Sequence, residues 1–252
     1  MNILVLMAGS SAKFREAGYI YPKNLIELNG TPLVELFINE LKSLQTDGNN
    51  FIFTLNGDED DRYYTGAIIQ LLLPGAQIVK LSSATAGAAC TALLAVEQIN
   101  NEEPLVIING DIFGDLQIKE AIAGFQRKHL DGGLIVFEGV HPRWSYVRCD
   151  GISGLVVEAA EKRPISKLAT IGVYYFAHGR DFVTSAMNMI VKDANVDGKY
   201  YVCPSYNEMI LAQKKIGTHQ IPRKLYFSLA TPQGVTSYEE YLKSRLVAIG
   251  DH

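Results

Sequence analysis

The sequence predicts an α/β fold, in which a mostly parallel mixed sheet has helices on both of its faces. Short apolar runs, of which residues 3–7 are the first, alternate with stretches whose apolar residues recur at helical spacing. The length of 252 residues and the 48% of hydrophobic residues supply a core of the size that such a sheet needs. We find no internal repeat and no Pro- or Ser-rich linker, so we expect one domain over residues 1–252.

The first half of the chain has the more regular pattern. Apolar runs predict strands at residues 3–7, 51–55, 77–81 and 105–108. An amphipathic helix is expected over residues 32–44, where Pro32 suits a first helical turn, and an Ala- and Leu-rich helix over residues 87–99. We expect residues 1 to about 115 to form the nucleotide-binding half of the domain.

The second half is less regular, and we expect it, from about residue 116 to 252, to bind a second substrate. Strands are predicted at residues 133–137, 151–157 and 171–176. Helices are predicted at residues 182–191, 206–214 and 236–247.

Charge and cysteine content exclude several classes of protein. The net charge of −4 gives no basic surplus for nucleic-acid or anionic-membrane binding. Cys90, Cys149 and Cys203 lack metal-ligand or CxxC spacing, which favours a reduced, cytoplasmic chain. The N-terminal run MNILVLMAG has no basic region, and no stretch approaches the roughly 18 apolar residues of a membrane span. We therefore expect a cytoplasmic protein with neither a nucleic acid nor a membrane as partner.

A loop of small residues, Ala8 to Ser11, follows the first strand and leads to Lys13. Small residues at the end of a buried parallel strand let backbone N–H groups approach a phosphate, and a lysine adds a point charge. A plain turn is the alternative, because the spacing is that of neither a P-loop nor a dinucleotide fingerprint.

A second lysine follows a proline in residues 21–26, YPKNLI. Pro22 fixes the backbone just before Lys23 and so gives that side chain a defined direction. A solvated surface lysine is the alternative reading.

Asp111 is the candidate metal ligand. It follows the predicted strand 105–108 within Asn109-Gly110-Asp111, at the edge where open α/β sheets place their ligands. Mg²⁺ prefers hard oxygen ligands together with substrate phosphates, so one such carboxylate is enough to anchor it.

In this order, the motifs resemble those of the sugar-phosphate nucleotidylyltransferases, the NDP-sugar pyrophosphorylases. The resemblance rests on residues 7–14 (MAGSSAKF), 22–26 (PKNLI) and 29–33 (NGTPL). It implies a three-layer α/β/α, Rossmann-like fold related to the GT-A glycosyltransferases. Ser11 and Lys13 stand where the family has a glycine and an arginine, and Asn24 replaces a second proline. The lysine lacks the bidentate fork of an arginine.

The resemblance implies a nucleoside triphosphate site with Mg²⁺ as cofactor. Lys13 and Lys23 would contact the reacting phosphates, and Asp111 would hold the metal. The other residues that it assigns to the nucleotide are Ala8, Gly9, Ser10, Ser11, Thr85, Gly87 and Gly110. The segment from Thr85 to Gly87 is similar to a base-recognition segment; a helix cap at Thr85 is the alternative. The base is not identified, although pyrimidine nucleotides such as CTP are common in the branch of the family associated with capsule and lipopolysaccharide biosynthesis.

The acceptor site is also implied by the resemblance. Glu161 would bind acceptor hydroxyls and Lys162 the acceptor phosphate, with a charged surface turn as the alternative. Thr170 and Tyr146 would line the same pocket, which Val147 would reshape because a glycine usually stands there.

Two features near the C-terminus refine the resemblance. Residues 200–208 (YYVCPSYNE) are similar to a segment of the branch associated with capsule and lipopolysaccharide biosynthesis. The acid that often supplies a second metal contact is missing, since residues 228–230 (SLA) occupy its place. Asn207 and Glu208 are candidate replacements.

The implied activity is transfer of a nucleotidyl group to a sugar 1-phosphate or another small phosphorylated metabolite, with release of pyrophosphate. A GT-A glycosyltransferase is one alternative, but it usually needs an Asp-x-Asp motif where this chain has Asn109-Gly110-Asp111. A nucleotide-binding regulatory protein without catalytic activity is another, favoured by the altered motif residues. The acceptor and the oligomeric state are left open.

Overall fold

The structure, a computed structural model, describes residues 1–46 and 48–250 of the chain. Its strands are β1 (Asn2–Leu6), β2 (Glu27–Leu28), β3 (Thr31–Pro32), β4 (Asn50–Asn56), β5 (Gln77–Leu81), β6 (Leu105–Asn109), β7 (Ile112–Phe113), β8 (Gly132–Glu138), β9 (Ser145–Cys149), β10 (Val156–Glu161), β11 (Leu168–Phe176), β12 (Ile216–Gln220) and β13 (Phe227–Ser228). Its helices are α1 (Ala12–Glu16), α2 (Leu33–Leu41), α3 (Gly57–Tyr63), α4 (Thr65–Leu72), α5 (Ala88–Leu93), α6 (Val96–Ile99), α7 (Ile118–Arg127), α8 (Gly179–Val191), α9 (Val202–Leu211) and α10 (Pro232–Gly250). Among these described helices, none is long and apolar enough to cross a bilayer.

The central sheet is mixed, as predicted, and the strands from the first half of the chain are parallel. β6, β1, β4 and β5 lie side by side and parallel, and they match the four strands predicted in the first half. β11 lies antiparallel to β6, and β8 and β12 continue the sheet beyond β11. The carboxyl ends of β1 and β6 are therefore neighbours at one edge.

The sheet opens along β11, and this opening positions the candidate site. The second half of β11, from Val173, pairs with β6, whereas Leu168 and Ala169 pair with β9. Gly172 has φ +91° between these two halves, and the register against β8 shifts there. β6 ends and β9 begins on either side of this bend, which leaves a gap for a ligand.

Apolar cores on both faces of the sheet confirm the three-layer architecture. Ile3 and Val5 pack in one core with Phe37 of α2, whereas Leu4, which points to the other face of the strand, packs in a second core with Phe182 of α8. The continuous apolar run of β1 follows from this double burial.

Two predicted elements are wrong in their bounds. The helix predicted at 87–99 is interrupted, because α5 ends in tight turns in which the N–H groups of Leu94 and Ala95 bond three residues back, and α6 restarts at Val96. The strand predicted at 151–157 is mostly a turn, held by the Asp150 carboxylate, which accepts from the N–H groups of residues 152 and 153. This turn joins β9 to β10 as an antiparallel hairpin.

Candidate active site

Lys23 and Asp111 meet where the segments that follow β1 and β6 converge. Nζ of Lys23 lies 3.0 Å from Oδ2 of Asp111, and the two side chains are 9% and 22% exposed. The backbone of Pro22 is extended, and Lys23 begins a 3-10 turn that runs to Leu25. The structure thus brings together the two residues that the sequence singled out as phosphate and metal ligands.

Ser11 positions Lys23 through its hydroxyl group. Oγ of Ser11 accepts a hydrogen bond from the backbone N–H of Lys23 at 3.0 Å and donates to Glu59 at 3.0 Å. Glu59 also pairs with Arg15 at 3.0 Å. Ser11 is 1% exposed, and its hydroxyl is occupied by these contacts within the loop. Any contact of Ser11 with a phosphate would therefore be made by its backbone. Glu59 was not identified from the sequence, since it lies 48 residues away from Ser11.

Glycines let the two loops close on each other. A Cβ on Gly9 would lie 3.3 Å from Nζ of Lys23, so Gly9 leaves room for the ammonium group. A Cβ on Gly110 would lie 2.3 Å from Cγ of Met7, and the N–H of Gly110 donates to the carbonyl of Leu6 at 3.0 Å. Gly110 is buried, so its role in this structure is to pack the β6 loop on the β1 loop.

The remaining residues of the β1 loop face solvent or the cavity. Ala8 is half-buried, and Gly9 and Ser10 are exposed. The Ser10 hydroxyl accepts from the N–H of Ala12 at 3.2 Å. Lys13 is exposed and lines the same cavity as Asp111. Lys23 therefore pairs with Asp111, and Lys13 lines the same cavity as that carboxylate.

A cavity of about 620 Å³ occupies the gap in the sheet. Its walls combine the end of β6 with the bend of β11 and the start of β9; they include Asn109, Asp111, Ser145, Glu161, Thr170 and Tyr174. A volume of this size suits a small phosphorylated ligand beside a nucleotide.

Glu161 and Thr170 lie in this wall, as expected for acceptor ligands. Ser145 donates a hydrogen bond to the carboxylate of Glu161, and burial raises the pKa of Glu161. The hydroxyl groups of Thr170 and Tyr174 lie 3.4 Å apart. The wall thus presents a cluster of oxygen donors and acceptors.

Lys162 and Tyr146 do not line the cavity, contrary to expectation. Lys162 has φ +54°, and its ammonium lies 3.3 Å from Asp197 and 5.3 Å from the ring centre of Tyr201. It borders a separate depression of about 560 Å³. Tyr146 is fully buried, with its hydroxyl donating to the carbonyl of His141 at 2.7 Å. Val147 is buried in the core on the other face, so it does not narrow the cavity.

The segment from Thr85 to Gly87 lies against the backbone of Tyr200. Gly87 has φ +120°, and a Cβ there would stand 2.4 Å from the Tyr200 carbonyl oxygen. Gly87 is the residue before α5, so the alternative of a helix cap at Thr85 is wrong. The Thr85 hydroxyl instead donates to the Gly87 carbonyl at 3.0 Å and lies 2.7 Å from that of Thr91. Of residues 85–89, Ala88 reaches the main cavity wall.

The residues suggested as a second metal ligand lie elsewhere. Asn207 bonds the backbone of Ala159 through both atoms of its amide, and Glu208 pairs with Lys192 at 2.7 Å. The segment of residues 228–230 does lie beside Asp111, whose carbonyl accepts from the N–H of Leu229 at 2.7 Å. It brings no carboxylate there, and within the described residues no group of three or more His, Cys, Asp and Glu side chains could hold a metal.

Two arginines in the cavity wall were missed from the sequence. The guanidinium of Arg143 lies 4.5 Å from the ring centre of Trp144, and that of Arg223 lies 5.3 Å from the ring of Tyr226. Arg143 and Trp144 immediately precede β9, and Arg223 precedes β13. The sequence offered one signal for this part of the cavity wall, since Arg143 is adjacent to Trp144, which is the only tryptophan of the chain.

The fold is a Rossmann-like α/β fold that matches the fold of nucleotidyltransferases. The crystal structure of a nucleoside-diphosphate-sugar pyrophosphorylase from Vibrio cholerae RC9 matches with a TM-score of 0.80 and 26% identity, over 95% of this chain and 100% of that one. The predicted resemblance is confirmed, since the structural neighbours are nucleoside-diphosphate-sugar pyrophosphorylases and sugar-1-phosphate nucleotidyltransferases.

Two further structures share the fold at lower identity. A Bacillus anthracis protein, provisionally named a glucose-1-phosphate thymidylyltransferase and crystallised with sucrose, matches with a TM-score of 0.72 and 15% identity, over 96% of this chain and 94% of that one. A UDP-glucose pyrophosphorylase in complex with UDP-glucose matches with a TM-score of 0.72 and 14% identity, over 97% and 98%.

In sequence, the chain is 21% identical over 177 residues to a Sulfolobus acidocaldarius protein that is provisionally named a mannose-1-phosphate guanyltransferase. The match covers 70% of this chain and 48% of that protein, so it spans about half the length of this relative. No protein-family model matches the chain.

Proposed function

We propose that this chain is a Mg²⁺-dependent nucleotidylyltransferase that transfers a nucleoside monophosphate from its triphosphate to a sugar 1-phosphate or a similar small phosphorylated metabolite. The observation that carries this proposal is the ion pair of Lys23 with Asp111, because Asp111 lines a cavity that Lys13 also lines. The name of the Vibrio cholerae neighbour, a nucleoside-diphosphate-sugar pyrophosphorylase, supports the class of acceptor.

The reaction needs no activated side-chain nucleophile. A phosphate monoester is largely dianionic at neutral pH, because its second pKa is about 6. One of its oxygens forms a bond to the α-phosphorus of the triphosphate, the bond to the β-phosphate oxygen breaks, and pyrophosphate leaves. The barrier arises from bringing two anions together, so positively charged side chains supply most of the catalysis. Lys23 is rigidly held for this purpose, whereas the exposed Lys13 can follow the triphosphate.

Asp111 fits a Mg²⁺ ion of the kind that is shared with a substrate. Lys23 contacts Oδ2, and in the described chain no hydrogen bond reaches Oδ1, which leaves one oxygen for a metal. Asn109 lies in the same wall, and its amide oxygen would be a further hard ligand of the type that Mg²⁺ prefers. The bound ion would supply neutralisation of the triphosphate oxygens. A single protein carboxylate suits this role, because phosphates and water complete the coordination of Mg²⁺.

Glu161 and Thr170 would orient the acceptor. Both lie in the cavity wall close to Ser145 and Tyr174, so they can bond hydroxyl groups of a small polar molecule. The likeness of residues 200–208 to a capsule- and lipopolysaccharide-associated branch supports a role in surface polysaccharide biosynthesis.

Pyrophosphate release tests the proposal directly. Purified protein with Mg²⁺ is assayed against each common nucleoside triphosphate combined with a panel of sugar 1-phosphates and other phosphorylated metabolites. We expect release that requires both substrates, and samples without acceptor serve as the control. A glycosyltransferase would release no pyrophosphate, and a purely regulatory protein would turn over no pair. Either result would overturn the proposed function.

A further inference from the structure

We infer that Arg143 and Arg223 form an oxyanion-binding site that holds an anionic group of the acceptor. This inference rests on the proposed function and deepens it, since it assigns to these arginines a recognition role that sequence resemblance gave to Lys162. The anion is either the reacting phosphate or a second group, such as a carboxylate, on the same acceptor.

The two arginines share the cavity with the reaction site. Both line the wall that includes Asp111 and Thr170. The buried Tyr226 lies between these arginines and Asp111. Its pKa is raised to about 12 by burial and by the charge of Asp111, while the charges of Arg223 and Arg143 act in the opposite direction. All three charged groups therefore lie within electrostatic range of one hydroxyl.

The charge of this arginine pair is uncompensated. Four other arginines pair with glutamates; these are Arg15, Arg148, Arg163 and Arg180. Across the described chain, neither Arg143 nor Arg223 has a carboxylate within ion-pair distance. Burial lowers the pKa of Arg223, and the nearby positive charge of Arg143 lowers it too. Two like charges in one wall repel each other, and an anion bound between them would relieve this repulsion.

Arg223 is held in place before any ligand arrives. Its guanidinium lies 5.1 Å from the ring centre of Phe137 and 5.7 Å from that of Trp144, and Nη1 donates to the Tyr226 carbonyl at 2.6 Å. Arg143 lies 4.5 Å from the ring centre of Trp144. Planar guanidinium groups match the oxygens of phosphate and carboxylate, and a fixed geometry reduces the entropy lost on binding.

Lys162 does not lie where it could bind the anionic group of the acceptor. Its ammonium lies against Asp197 and Tyr201, and hydrogen bonds to Tyr201 and Asp197 raise its pKa. It borders the separate depression instead of the wall that contains Asp111. The arginine pair thus places positive charge in the cavity wall, whereas Lys162 does not.

Trp144 reports directly on this site, because it is the only tryptophan and contacts both guanidinium groups. Its fluorescence is titrated with inorganic phosphate at constant ionic strength, without divalent cations. We expect a saturable change in the wild type and a dissociation constant raised about tenfold or more in the double variant Arg143→Gln/Arg223→Gln. The exposed pair Arg127→Gln/Lys128→Gln removes the same charge and should bind as the wild type does.

Single substitutions serve as controls for misfolding and for the loss of charge. Arg143 is exposed, so Arg143→Gln is expected to fold normally and to weaken phosphate binding by itself, while Arg143→Lys retains part of it. An unsaturable response in the wild type, or equal dissociation constants in wild type and Arg143→Gln, would overturn the inference.

Kinetics then distinguish the two sources of the anion. The KM of acceptors is measured in the pyrophosphate assay for the wild type and for the double variant. One set of acceptors consists of 1-phosphates of uncharged sugars, and the other of 1-phosphates that also carry a carboxylate, such as uronic acid 1-phosphates. A KM raised for both sets identifies the reacting phosphate, and a KM raised for the carboxylates alone identifies a second anionic group. If the double variant releases pyrophosphate with every KM unchanged, the inference fails while the proposed function stands. If no pair of substrates reacts, the proposed function fails and the titration still decides whether the arginines bind an anion.

Discussion

Nζ of Lys23 lies 3.0 Å from Oδ2 of Asp111, although the two residues are 88 positions apart in the chain. Both follow neighbouring strands of the sheet, and both are mostly buried. An ion pair that is partly removed from water depends on both partners, because removal of one leaves the other without compensation. Lys23 and Asp111 therefore act as a unit in the structure as well as in the proposed chemistry.

Lys23→Ala should slow pyrophosphate formation by at least about 10²-fold, on the scale of losing one contact to a developing anion. The rate at saturating substrate is the relevant measurement, since the lysine is expected to act on the transition state. Lys119→Ala, which removes an exposed lysine on α7, is the matched control and should retain the wild-type rate. Equal rates for the two variants would remove Lys23 from the proposed mechanism.

Ser11→Ala should destabilise the fold by about 1–3 kcal/mol, because it leaves the N–H of Lys23 and the carboxylate of Glu59 without their shared partner. Ser11→Gly, which introduces the glycine usual in the sugar-phosphate nucleotidylyltransferases that the sequence resembles, should have the same effect. The free energy of unfolding in urea is the measurement. Ser82→Ala, an exposed control, should change it by less than about 0.5 kcal/mol. A Ser11→Ala protein as stable as the wild type would show that the hydroxyl does not hold the loop.

Gly172→Ala should disturb the bend of β11. A Cβ there would lie 2.4 Å from Nδ2 of Asn109, and φ is +91°, so the variant is expected to lose about 1–3 kcal/mol of stability and part of its activity. Thermal unfolding and pyrophosphate release measure the two effects. Gly151→Ala is the control, since its Cβ would meet no atom within 4 Å. Similar behaviour of both variants would contradict the role given to Gly172.

Glu40→Gln should stabilise the protein increasingly as the pH rises. Glu40 accepts hydrogen bonds from the N–H of Gly114 and the hydroxyl of Tyr238, and burial raises its pKa from 4.5 to about 8. Between these values the unfolded chain loses a proton that the folded chain keeps, so wild-type stability falls by up to about 1.4 kcal/mol per pH unit.

Urea unfolding of both proteins near pH 5 and near pH 8 tests this linkage. The free-energy difference between Glu40→Gln and wild type should grow in favour of the variant toward the higher pH. Parallel pH profiles would mean that the Glu40 carboxyl titrates alike in the folded and unfolded chains.

The first half of the fold could be predicted because its signals are local. β1, β4, β5 and β6 are continuous apolar runs, since both of their faces are buried, and the polar residues that follow them mark the edge of the sheet. Parallel strands place those residues side by side. The meeting of Lys23 and Asp111 follows from this rule without any alignment.

The second half of the fold could not be predicted in the same way, because it depends on contacts between distant parts of the chain. The direction of Lys162 is set by its positive φ and by Asp197, 35 residues later. Arg143 and Arg223 come from separate segments, and both lie against the ring of Trp144. Such pairs leave no periodicity and no motif.

The rate of pyrophosphate release by Asp111→Asn under saturating Mg²⁺ tests the central claim most directly. The substitution keeps the size of the side chain but removes the charge that is proposed to hold the metal and to pair with Lys23. With the best triphosphate and acceptor of the wild type, we predict a loss of at least about 10²-fold. An Asp111→Asn enzyme that forms product at the wild-type rate would contradict the account.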